Sequence, residues 1–174
     1  MTTATQSAVS AEFAVGIREM FLQSLERELP VTRKVIASVP ENKKEWRPDP
    51  KARNAWELVA HLANSDVWFL NGIADHHFPQ DPPLAAPAQN VADTAAWYEK
   101  NMKSAMERVR RMSPEQLLVP VDFYGAFNLP AFAYLEFCLK HSIHHRAQLG
   151  TYLRPMGSTC PSIYGGSADE PWEG

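Results

Sequence analysis

The sequence predicts an all-α protein, an antiparallel four-helix bundle with long connecting loops and one short extended segment near 119–127. Three observations lead there. Apolar residues recur at three- and four-residue spacing in four long stretches, the mark of amphipathic helices. Proline-rich or polar segments separate those stretches, where chains leave helices. Only "VPVDFYGAF" is rich in strand-forming residues, and it is too brief to build a sheet. The 174 residues, 45% of them hydrophobic and 21% charged, suffice for one globular domain spanning 1–174 with its own core.

The first helix is expected from Ser10 to about Val39. Ser10 is a plausible N-cap, and Phe13, Ile17, Met20, Phe21, Leu25 and Leu29 follow at helical spacing. Pro30 falls inside the pattern and predicts a kink or short break. "PENKKEWRPDPKAR" then reads as a loop. The second helix opens at Asn54, because "NAWE" has the capping-box form with Glu57 three residues on. Trp56, Val59, Leu62, Ala63, Val67, Leu70 and Ile73 carry it to about Ala74. The third runs from Asn90 or Asp93 to about Met112, with Ala96, Trp97, Met102, Ala105, Met106 and Val109 on its buried side. "SPEQL" suggests a short helical turn, Ser113 capping and Pro114 at the first position. The fourth opens at Asn128, with Pro130 in its first turn, and ends near Leu153, where "RPMG" stops it. The tail after it is too rich in Gly, Ser and Pro for regular structure, but Ile163, Tyr164 and Trp172 are candidates for packing against the bundle.

Composition narrows the function classes. The net charge is −3, and Arg108, Arg110 and Arg111 form only one small basic cluster, so no nucleic-acid partner is expected. No apolar run approaches the roughly 20 residues needed to span a bilayer, so no membrane partner is expected. "MTTATQSAVS" has neither a basic start nor an apolar run, and the expected location is the cytoplasm. Two cysteines, Cys138 and Cys160, form no recognisable disulfide framework.

Histidine placement carries the chemistry. Three of the six histidines lie within five positions, in "HSIHH". An α-helix turns about 100° per residue, so Tyr134, His141, His145, Leu149 and Tyr152 fall within roughly 60° of Cys138 on one face. Glu136, Lys140, Ala147, Thr151 and Arg154 fall opposite, and His144 points to the flank. His141 and His145 are therefore stacked one turn apart on an apolar stripe, a spacing that lets two imidazoles converge on one ion. The bland alternative gives each ring a carbonyl, hydroxyl or water. His61, on the second helix, shares a flank with Leu58, Ser65 and Trp68, and periodicity leaves its direction open. His76 and His77, near the end of the second helix, suit the helix dipole better than a metal.

"WRPDPKARNAWELVAHL" in the loop and second helix, "HSIHHRAQLGTYLRPMG" in the last helix and "CPSIYGGSADE" in the tail resemble the DinB-like superfamily of four-helix-bundle proteins, which is not the DNA polymerase sharing that name. The resemblance spans nearly the whole chain. It implies a divalent metal, nickel or zinc, held by His61, His141 and His145, with Arg146 and Gln148 matching the positions after the second histidine of the last helix. Ala147 stands where that pattern often has glycine. It also implies relatives that transfer low-molecular-weight thiols such as bacillithiol, mycothiol or glutathione, and that are often dimers.

Three histidines leave a coordination position open, the pattern of catalytic sites. The expected partners are a small thiol and an electrophilic small molecule, with a homodimer as the assembly. Tyr134, Gln148 and Tyr152 are candidate ligand-binding residues, and packing is their plain alternative. Cys138 is a possible fourth ligand or an inert buried thiol. No carboxylate stands out as a general base, and no catalytic residue is assigned. The readings that compete are a metal-dependent thiol transferase or hydrolase, a non-catalytic metal-binding or stress-response bundle, and a structural bundle without metal.

Overall fold

A computed structural model describes residues 10–80 and 83–172. Four long helices, α1 (Ala11–Ala37), α2 (Ala55–Asp75), α3 (Val91–Arg110) and α5 (Tyr134–Leu153), make the bundle. Between α3 and α5 lie the short helix α4 (Pro114–Leu118) and a two-stranded antiparallel hairpin, β1 (Pro120–Phe123) and β2 (Phe127–Pro130).

The predicted helix starts are formed by their own side chains. Ser10 Oγ accepts from Phe13 N at 3.1 Å. Asn54 and Glu57 exchange both capping-box bonds, each 2.7 Å long. Asn90 caps α3 and Ser113 caps α4. Pro30 produces no break, and α1 runs through it. The missing hydrogen bond costs about 3 kcal/mol in a helix interior. Pro30 faces solvent, however, while Leu29, Thr32, Val35 and Ile36 keep the buried stripe continuous on both sides of it.

Expectations for the last helix and for α3 also need correction. The last helix begins at Tyr134, not Asn128, because Asn128 pairs with Asp122 and Pro130 with Pro120 in the hairpin. The buried side of α3 near its start is Ala95 and Tyr98, while Ala96 is exposed. Positions 95, 98, 102, 105, 106 and 109 form the true stripe. On α1, Phe13 and Met20 remain about half exposed.

α1 packs on α3 and α5, and so does α2, which leaves α1 and α2 facing across the diagonal. Side-chain pairs give the directions. Arg33 meets Glu99 while Glu26 meets Arg110, so α1 and α3 are antiparallel. His61 meets His145 while Asp66 meets His141, so α2 and α5 are antiparallel. Asp66 meets Tyr98 while Asp75 meets Arg108, so α2 and α3 are parallel. Phe13 meets Phe132 while Glu28 meets Arg146, so α1 and α5 are parallel too. The bundle is thus up–down–down–up, with two antiparallel and two parallel contacts. A parallel pair consecutive in the chain needs a long return, and the proline-rich segment between α2 and α3 provides it.

After α5, Gly157 takes φ +82° and turns the chain into the tail. The tail lies against the ends of α1 and α5: Ser158 Oγ donates to Ser38 O at 2.6 Å, and Lys34 pairs with Glu170 at 2.6 Å. Ile163 packs on the core and Tyr164 binds through its hydroxyl, but Trp172 is 83% exposed and does not pack as expected. Among the described residues no helix is long and apolar enough to cross a membrane.

Candidate metal centre

α2 and α5 pack antiparallel, and that contact decides the direction of His61. Its Nε2 lies 3.1 Å from His145 Nε2 and 3.2 Å from His141 Nε2. These three form the one group of histidine, cysteine and carboxylate side chains, among the described residues, able to share an ion. All three rings are half-buried, between helices and not in the middle of the bundle. The pair expected on the apolar stripe of α5 and the histidine left open on α2 are thus brought together.

The far side of each ring is also engaged. Asp66, fully buried, accepts from His141 Nδ1–H through Oδ1 at 2.9 Å and from the Tyr98 hydroxyl through Oδ2 at 2.9 Å. A carboxylate can only accept, so this contact fixes the His141 tautomer with a bare Nε2. Gln148 Oε1 lies 3.1 Å from His145 Nδ1 and does the same for that ring, while Gln148 Nε2 donates to the Tyr152 hydroxyl at 3.4 Å. Ser65 Oγ stands 3.3 Å from His61 Nδ1.

Two bare nitrogens and a third within 3.2 Å of both cannot satisfy one another. A single proton on His61 Nε2 would serve one neighbour and leave the other as an unpaired lone pair. One cation satisfies all three. Nitrogens about 2.1 Å from a shared ion, at angles between a right angle and the tetrahedral value, sit about 3.0–3.4 Å apart. The observed separations fall in that range, so the residues fit a divalent metal.

The electrostatics favour ligands over proton carriers. Burial, aided by the Arg53 charge and the neighbouring imidazoles, pushes His61 down to about 3. Burial, aided by the neighbouring His141 imidazole, pushes His145 down to about 4, against the opposing Gln148 hydrogen bond. Both rings are therefore neutral near pH 7, the form a metal requires. Burial holds the Tyr98 phenol well above its ordinary range, so it remains a donor to Asp66.

Other candidates fall elsewhere. Tyr134 serves the hairpin: its hydroxyl donates to Val121 O at 2.6 Å and accepts from Leu129 N at 3.3 Å. Its ring joins Phe78 and Phe123, not the histidines. Tyr152 reaches the centre only through Gln148, its ring edge-on to Trp46. Cys138 is fully buried and directs Sγ to Asp66 O at 3.7 Å, outside the group of side chains able to share the ion, so the geometry does not make it a fourth ligand. His76 caps α2 in the left-handed region and contacts Gln116 O at 2.8 Å.

Asp66 stands directly behind the centre, and the sequence reading gave it no role. The signal was present: it is the lone charged residue in "LVAHLANSDVWFLNGIA" (58–74), where a charge needs a partner. Arg146, which the family resemblance had already singled out, is buried as well. It is 1% exposed and bonds Glu28, Thr32 and Tyr164.

A cavity of about 400 Å³ opens onto His61 from the loop before α2 and from the return segment after it.

Residues 24–149 match the model of the DinB superfamily. The Bacillus subtilis protein YrdA is 27% identical over 161 residues, 87% of this chain and 90% of its own length. YjoA of the same organism is 27% identical over 139 residues, 74% of this chain and 84% of its own. The crystal structure of YjoA, a DinB-like protein, superposes with a TM-score of 0.67 at 22% identity, covering 85% of this chain and 97% of that one. A DinB-like protein from Bacillus cereus gives 0.71 at 22% identity, covering 84% and 97%. At that identity the two structures speak to the fold.

Proposed function

This chain belongs to the DinB superfamily, and from that premise and the geometry of its three histidines we propose that it binds a divalent metal ion and uses it to activate a small thiol, or water, for transfer to an electrophilic substrate. The observation that carries the reading is the convergence of His61, His141 and His145 Nε2 within 3.2 Å of His61, each ring braced from behind. Nickel and zinc, both suited to imidazole ligands, are the candidates.

When bound, such an ion supplies Lewis acidity at an open coordination position, lowering the pKa of a thiol or water that meets it. The chain's own residues do the rest. His61, His141 and His145 hold the ion. Asp66 keeps the His141 lone pair directed at it and raises the basicity of that ring. Gln148, steadied by Tyr152, orients His145. The cavity beside His61 admits the reacting molecules. Small-thiol transfer is the chemistry that the DinB-like resemblance implies, and three protein ligands with an open position suit it better than a closed structural site.

Metal analysis of untagged protein tests the first half. About one equivalent of zinc or nickel per chain is expected, falling to a small fraction in His61→Ala and in His141→Ala. Wild-type protein that takes up neither ion would end the reading. A thiol-consumption screen with electrophiles tests the second half. Metal-loaded protein inert toward thiols and esters alike would favour the non-catalytic metal-binding bundle.

A further inference from the structure

The cavity beside His61 has an unusual wall. Arg47, Lys51 and Arg53 line it, from the loop that leads into α2, and Glu57, Pro83 and Leu84 line it too. Arg47 is partly matched by Glu57, 3.8 Å away. Glu57 is itself committed to the capping box of α2. The side chains of Lys51 and Arg53 make no ion pair or hydrogen bond among the described residues.

Local structure does not account for these charges. Arg53 immediately precedes the N-cap Asn54. The first turn of a helix carries unsatisfied N–H groups and the positive end of the dipole, so cations there are disfavoured. An exposed arginine and lysine at such a place, with no carboxylate of their own, oppose the stability of α2. They also lie near the candidate centre, since both share the wall of this cavity with His61. An anion in the cavity would reverse the sign of the cost, meeting two cations and the end of a helix together.

We infer that the molecule received at the three-histidine centre is a small organic anion, its carboxylate held by Arg53 and Lys51 in the cavity that opens onto His61. The inference rests on the reading of the histidines as a metal site. It adds the charge of the substrate and the residues that select for it. Arg53 is a specificity residue: its planar fork can take both oxygens of a carboxylate, while Lys51 contributes a point charge. A cavity of about 400 Å³ has room for a small molecule that reaches from the histidines to the loop.

The test uses cobalt(II)-loaded protein, with a thiol serving only as a coloured handle on the ion. A series of straight-chain mercaptocarboxylates of increasing length is titrated against the matching mercaptoamides, and binding is read from the sulfur-to-cobalt absorption band. For at least one chain length the acid is expected to bind about tenfold more tightly than its amide. That advantage should disappear in Arg53→Gln, shrink in Lys51→Gln and shrink in raised salt. Amide affinity and cobalt uptake should stay unchanged in both variants. Acids and amides binding alike at every length, or an acid preference that survives the double variant, would overturn the inference and leave the metal reading standing. Failure of the wild-type protein to take up cobalt would remove both.

Discussion

Asp66 stands behind the centre with both oxygens engaged and no access to solvent, so its charge is directed where its partners lie. Asp66→Asn keeps the shape but gives His141 a neutral acceptor at best. On the metal reading, affinity for zinc should fall about 10- to 100-fold, measured by competition with a chelator, with the helical signal retained. An unchanged affinity would mean that the Asp66–His141 contact serves packing alone. The histidines themselves make a pH prediction for the metal-free protein. His61 and His145 are pushed down to about 3 and about 4 in the fold, from an ordinary value near 6.5. Between those values the unfolded chain binds protons that the folded chain refuses. Stability is therefore full above about pH 6.5 and is lost as pH falls toward 4. Denaturant midpoints across that interval should decline, and replacing His61 by Gln should flatten the decline. The histidine pair on α5 was legible because helical periodicity fixes directions within one helix. Asp66 was overlooked because its partner lies on another helix, and spacing within α2 holds no information about α5.

Among the elements, α2 shows how packing overrides propensity. Gly72 sits inside the helix, where alanine would ordinarily gain about 1 kcal/mol. A Cβ there would stand 2.3 Å from Phe78 Cδ1. That ring is 3% exposed and wedged among Trp68, Phe69, Phe123 and Tyr134, so it has little room to move. Gly72→Ala should destabilise the protein by about 1–3 kcal/mol in urea titrations, opposite in sign to the propensity expectation. A more stable variant would show that the aromatic cluster relaxes freely. The hairpin is governed by the same cluster. The strand character of 119–127 is visible in its residue types, but the extension of β2 through Pro130 is not, since Asn128 and Pro130 also suit the start of a helix. Cross-strand pairing and the Tyr134 hydroxyl decide between the two. Pro30 illustrates the opposite case, a local breaker overruled by the buried neighbours that flank it.

Across the whole molecule, Arg146 joins three parts of the chain. It follows His145 on α5, pairs with Glu28 of α1 and donates to Tyr164 of the tail at 2.6 Å. With its side chain 1% exposed and that of Glu28 15% exposed, the pair is largely removed from water. Arg146→Ala leaves a carboxylate without its counter-ion and should cost about 3–5 kcal/mol. The loss is measurable by chemical denaturation, with the tail becoming sensitive to protease before the helices. A tail that keeps its protection would show that Ser158 and Glu170 suffice to hold it. The up–down–down–up order has a comparable origin. A helix wheel reports which face is buried, not which neighbour covers it or in which direction that neighbour runs.

By itself the sequence determined the four long helices, most of their caps, the inward pair His141 and His145, and the loop-like character of the connections. These follow from interactions a few residues apart, which the order of residues contains directly. Only the tertiary structure decided that His61 turns toward that pair, that Asp66 and Tyr98 brace it, that Arg146 is buried and that α2 runs parallel to α3. Each depends on side chains distant along the chain meeting across a helix contact, and such meetings are settled by how the apolar faces pack together.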